Sequence, residues 1–215
     1  MPKSNHYSLF VACLLIASLF RIWHIESNPA WYTDEGTHIE IARHLMADKI
    51  QYLGITESYL IAARLPLFEN LLAFWFRIVG VGMFQLRILT SLLGILTVAF
   101  LYQLVKTATH NIPLALTSFA LLAIYPQAVI YSRFGFSYNV LPILILSGLW
   151  CLTRLYHSRQ LKYLIATCLF FGLGTLSDFI GFAFIPSVVL IIAFIRRKYV
   201  IPAIIGLLLP FTIYS

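Results

Sequence analysis

A chain of 215 residues that is 60% apolar and only 11% charged, with a mean hydropathy of +0.88, is not built as a soluble domain. Its net charge of +7 does not point to nucleic acid, because the cations stand in short stretches between apolar runs, where they act as topology signals. The apolar runs are continuous rather than alternating, which argues against a β-barrel and for an all-α, polytopic helical membrane protein. Cys13, Cys151 and Cys168 are each isolated within such a run, with no metal or redox spacing, and read as small apolar filler.

In chain order, the first apolar segment covers about 7–25. It follows Lys3 and has no small-x-small cleavage site after it, so it reads as a retained signal anchor. A long connection over about 26–83 comes next. Within it, 35–47 predicts a short helix, since Ile39, Ala42, Leu45 and Met46 recur at three- and four-residue spacing and make one apolar face. Glu35, His38 and Arg43 fall away from that face, Asp34 falls at the N-terminal end, and Thr37-x-x-Glu40 has the pattern of a capping box. The stretch 65–82 is apolar but carries Glu69, Asn70 and Arg77. Further apolar segments cover about 84–105, 112–131, 140–155, 163–176, 179–195 and 200–214. A crossing takes roughly 20 residues, so the shorter ones call for tilt or local thinning.

Charge parity decides how 65–82 is read. If it does not span and the N-terminus is cytoplasmic, the inner loops hold Lys3, Lys106, Arg154, Arg159, Lys162 and Arg196-Arg197-Lys198, and no acid. All eight acids then lie at the outer side. If it spans, the last five of those cations move outside, against the positive-inside rule. The expectation is therefore about seven transmembrane helices in a single module over 1–215, in a plasma (inner) membrane, with a large first outer loop and 65–82 lying in the interface as an amphipathic helix.

Four features meet on the outer side of that topology. They are Asp34-Glu35, Arg64-Leu65-Pro66-Leu67, the run from Tyr131-Ser132-Arg133 to Asn139, and Asp178. Adjacent carboxylates are expensive in hydrocarbon and tolerable at its edge, where a lipid-borne substrate meets water. Simpler readings stand beside the chemical one: acids favour helix starts, Arg87 suits the end of a span, and Trp23, Trp31, Tyr32, Tyr131 and Tyr138 suit an interface belt. His38 and His44 are six apart, share no helical face and offer no metal pair. A transporter ranks last, because the spans are nearly bare of charge.

On Tyr32-Thr33-Asp34-Glu35-Gly36, Arg64-x-Pro66-Leu67, Leu86-Arg87-Ile88-Leu89, Tyr131-Ser132-Arg133 and Gly172-Leu173-Gly174, the chain resembles the N-terminal transmembrane module of GT-C membrane glycosyltransferases over about 9–186. These are the protein mannosyltransferase and aminoarabinose transferase-like group. The resemblance implies a sugar taken from a polyprenyl-phosphate donor on the outer face, among membrane lipids. Asp34 would be the catalytic base, with Glu35 supporting it, and Arg64 and Arg133 would hold the lipid phosphate. Some relatives use a divalent cation. Here Asp34 and Asn139 are the residues it would meet, but Asn139 stands where relatives often carry an acid and Asp178 where many carry Lys, so no metal site is assigned. Relatives are usually longer, which implies a partner subunit supplying further spans. The alternative is a non-catalytic lipid-phosphate-binding or assembly subunit, or a truncated inactive module.

Overall fold

The computed structural model describes residues 3–47 and 66–214. The described residues form ten α-helices: α1 Lys3–Ile22, α2 Thr33–Met46, α3 Pro66–Val79, α4 Met83–Thr109, α5 Ile112–Ile124, α6 Pro126–Arg133, α7 Leu141–Ser158, α8 Leu161–Ser177, α9 Ile180–Ile195 and α10 Val200–Tyr214. Single 3-10 turns, Ser137–Val140 and Arg197–Tyr199, lead into α7 and α10. No strand occurs among the described residues.

By length and apolarity, Met83–Thr109 and Ser137–Ser158 qualify as membrane spans. Ile112–Ile124 with Pro126–Arg133 makes a third if the bent pair is one crossing. The apolar stretches His6–Ile22, Leu161–Ser177 and Ile180–Ile195 are shorter, at 17 residues or fewer. Two or three candidate spans are thus evident, against about seven expected. At 14 residues, α3 is about 21 Å long, short of a roughly 30 Å hydrocarbon core. Its buried side chains, Phe68, Leu72 and Phe76 with Glu69 and Ala73, line one face, as an amphipathic helix requires.

The segment expected as one rod over 112–131 is broken by 57° between α5 and α6. Pro126 is the cause: it has no amide hydrogen to give the Leu122 carbonyl, and its ring crowds that turn. Arg21, at the end of α1 and only 1% exposed, serves the carbonyls at the break. Its Nη2 donates to Leu122 O at 3.3 Å and its Nη1 to Ala123 O at 2.9 Å, with a further bond to Ala17 O at 3.2 Å. A cation deep in an apolar bundle is thereby matched to the negative end of α5.

Packing is tightest around α8. A Cβ on Gly181 would lie 2.3 Å from the Gly174 carbonyl oxygen, and one on Gly172 would lie 2.9 Å from the Leu207 oxygen. Gly181 thus lets α9, and Gly172 lets α10, approach the α8 backbone, which is how helices associate where lipid removes the hydrophobic drive. Gly181→Val meets backbone that side-chain rotation cannot move. It is expected to destabilise the fold by at least about 1–3 kcal/mol, read as a lower unfolding midpoint in detergent. Unchanged stability would show that the α8–α9 contact is not as close as described.

The cations Lys106, Arg154, Arg159, Lys162, Arg196 and Lys198 gather around the C-terminal end of α4. Each lies over a Tyr or Trp ring at 5.2 to 5.9 Å. The opposite end of α4 carries Arg87 and the residues of the candidate site.

Candidate active site

The site begins at the start of α2. Tyr32 is extended (φ −126°), its carbonyl accepts from Glu35 N at 3.1 Å, and its own amide donates to Glu35 Oε2 at 3.2 Å. This is the acidic half of a capping box, set two residues earlier than the helix expected from 35. Thr37 and Glu40, read as the box, lie inside the helix instead. Glu40 pairs with Arg43 and His44 one turn on, at 3.3 and 3.2 Å.

Glu35 and His38 were expected away from the apolar face; both are buried, at 0% and 2% exposure. Each is buried because it is paired. Arg87 grips Glu35 with two bonds, Nε to Oε1 at 2.8 Å and Nη2 to Oε2 at 2.7 Å. The Gly135 amide is a second donor to Oε1, at 2.9 Å, so with the Tyr32 amide the carboxylate accepts four bonds. Gly135 has no room for a side chain, since a Cβ would stand 2.4 Å from Leu86, the residue next to Arg87. His38 Nδ1 lies 2.7 Å from Glu69 Oε1, which ties α2 to α3 beneath the edge of Phe68.

The remaining Arg87 donors go to main-chain oxygens of Ile25, Glu26, Pro29 and Ala30, at 2.8 to 3.3 Å. Arg133 works on the same connection from the other side. It donates to Phe20 and Trp23 at 2.7 Å, and to Asn28 at 3.0 and 2.5 Å. Most of its fork is therefore spent on carbonyls. Asn139 Nδ2 braces the neighbouring turn through Tyr131, Phe134 and Phe136 oxygens. Asp178 accepts the Ile180 amide at 2.8 Å and starts α9; it does not line the Asp34 pocket. Arg64 lies outside the described residues.

Asp34 is half-buried in the first turn of α2 and opens onto a cavity of about 600 Å³, lined also by Tyr32, Gln127, Tyr131, Phe134, Phe136 and Tyr138. The rings form a continuous wall: Tyr32–Phe136 at 5.3 Å, Phe134–Phe136 and Phe136–Tyr138 at 5.0 Å, Tyr131–Tyr138 at 6.0 Å. Three tyrosines read as interface belt thus line the pocket of the carboxylate, while Trp23 and Trp31 stay exposed. Among the described residues no Lys or Arg lines it, so their lining suits a neutral or cationic guest better than a phosphate. Gln127 was not singled out from sequence, and a lone exposed Gln gives no signal there. The Glu35–Arg87 pair could have been anticipated, because a buried acid in an apolar chain needs a cation.

Asn139 does not line this pocket, so Asp34 and Asn139 are not brought together. Among the described residues no group of three His, Cys, Asp or Glu side chains is placed to hold a metal ion.

The model of the dolichyl-phosphate-mannose-protein mannosyltransferase family matches residues 63–214. The chain belongs to that family. Membership makes it an integral membrane glycosyltransferase of the GT-C type. The mannosyltransferase match includes Arg64, Arg87, Arg133 and Asn139, and begins after Asp34 and Glu35. No curated protein and no solved structure matches the chain.

Proposed function

We propose that the protein moves a sugar from a polyprenyl-phosphate donor to an acceptor at the outer face of the membrane, with Asp34 as general base. The observation that carries this is the placement of Asp34. It stands in the first turn of a helix whose next residue is locked by Arg87 and Gly135, and it faces a cavity walled by aromatic rings. A base must be fixed in position yet reachable, and Asp34 is both. Glu35 is the positioning residue, since its own oxygens are occupied.

Arg64 is the cation for the lipid phosphate in this reading, with Arg133 holding the connection that presents Asp34. The topology is seven spans with a cytoplasmic N-terminus. The gathering of cations at the far end of α4 supports that orientation, because Lys and Arg favour the cytoplasmic side. A second reading, a subunit that binds the lipid phosphate without turnover, draws on Asn139, which stands where relatives often carry an acid and braces a turn instead.

The test is release of polyprenyl phosphate from a polyprenyl-phosphate sugar by the full chain in membranes. Release that Asp34→Asn abolishes supports the first reading. Donor binding without release supports the second.

A further inference from the structure

Beside the Asp34 pocket lies another cavity, of about 530 Å³, which the reading above does not use. The two cavities share Tyr131 and Tyr138. From these tyrosines the second cavity follows α4 from Gly94 to Leu101 and α7 to Ile145 and Leu146. At about 1.5 Å per residue, that stretch of α4 makes a shaft about 10 Å deep. The rim is polar and the shaft apolar.

Arg21 is part of the lining. Its Nη atoms serve the broken helix, but its Nε–H, buried, has no partner among the described residues. The Nε lies 3.2 Å from where Gly94 would carry a Cβ, and Ser132 is closer still, so a side chain at 94 would close the cleft that Arg21 borders. Among the described residues no acid lines the cavity and none pairs with Arg21. An idle buried donor on a full positive charge is costly, and an anionic oxygen relieves it. An apolar shaft below a cationic rim is complementary to a lipid: a chain under an anionic head.

We propose that this cavity seats an anionic membrane lipid, with a chain in the shaft and its head at Arg21, and that this lipid is the sugar acceptor. The acceptor role rests on Asp34 being the base. A hydroxyl or amine on the head, passing Tyr131 and Tyr138, enters the Asp34 pocket. Its proton goes to the Asp34 carboxylate as its oxygen or nitrogen bonds to the sugar's anomeric carbon. The bond from that carbon to the phosphate oxygen breaks, and polyprenyl phosphate leaves with the electron pair.

The full chain, purified into phosphatidylcholine nanodiscs, is photolabelled with a lysophosphatidic acid bearing a diazirine in its acyl chain. Label is expected on the shaft segments of α4 and α7. Leu101→Trp and Leu146→Trp, which fill the shaft from opposite helices, are expected to lower labelling about tenfold. Arg21→Gln lowers it too, and a diazirine-bearing fatty alcohol of the same length labels weakly. Excess unlabelled polyprenyl phosphate leaves the label in place, and transferred sugar is recovered in the organic extract. Full labelling of both folded Trp variants, equal labelling by the alcohol, or sugar recovered only in protein overturns the proposal. Displacement by polyprenyl phosphate also overturns it, giving the cavity to the donor. Asp34→Asn is expected to label like wild type. If that variant still transfers sugar, the base assignment fails while the lipid site stands.

Discussion

Arg87→Met is expected to lower the stability of the fold by at least about 3–5 kcal/mol, the usual cost of removing one partner from a buried ion pair. The change strands Glu35, whose carboxylate is fully buried between α2 and α4. It also strips hydrogen bonds from carbonyls of Ile25, Glu26, Pro29 and Ala30. Glu35→Gln is expected to cost less, about 1–3 kcal/mol. There Arg87 keeps its four carbonyls and the glutamine oxygen still accepts, but the charge is lost and the amide nitrogen, a donor, faces the N–H groups that one carboxylate oxygen had accepted. The measurement is the unfolding midpoint of each purified variant in one detergent. Because the two changes break the same pair, their order is informative. An equal or reversed order would mean that Arg87 is not the hub of the connection between α1 and α2.

How far the chain could be read beforehand follows from which forces act locally. Apolar runs and turn residues are local, so the segments were legible, and α7 to α10 begin and end within a few residues of the expected bounds. The amphipathic α3 was legible for the same reason: Phe68, Leu72 and Phe76 recur every fourth position. The break in 112–131 was written in Pro126, but its consequence needed Arg21, 102 positions from its Ala123 partner.

The sequence picks out the carboxylate pair of the candidate site and not its arrangement. Asp34 stood out as a carboxylate at a helix start. That Glu35 is gripped and buried while Asp34 lines the cavity depends on Arg87, 52 positions from Glu35, and on the Gly135 amide, 100 positions from it. Periodicity even misled here. It placed Glu35 and His38 away from the packed face because they are polar, whereas pairing with Arg87 and Glu69 allows both to be buried. The three arginines Arg21, Arg87 and Arg133 share one trait that sequence does not display: each donates chiefly to main-chain oxygens at helix ends or in the α1–α2 connection.

Asp34→Asn is expected to remove about 10²–10⁴-fold of sugar transfer while leaving the fold nearly intact. Asparagine has the same shape and is as good a residue at a helix start. The loss of a negative charge near the α2 N-terminus accounts for at most about 1 kcal/mol of stability. Glu35→Gln offers the contrast, because it acts on activity only by loosening the turn that carries Asp34. Its transfer defect should track its unfolding midpoint and shrink on cooling, where the turn is held. The defect of Asp34→Asn should persist at every temperature at which the protein is folded. Transfer of polyprenyl-phosphate-linked sugar, measured alongside the midpoint for both variants, separates a base from its support. If Asp34→Asn keeps transfer within a few-fold of wild type, a range too small for a lost general base, another group takes the proton. In that case the aromatic pocket holds the acceptor without activating it.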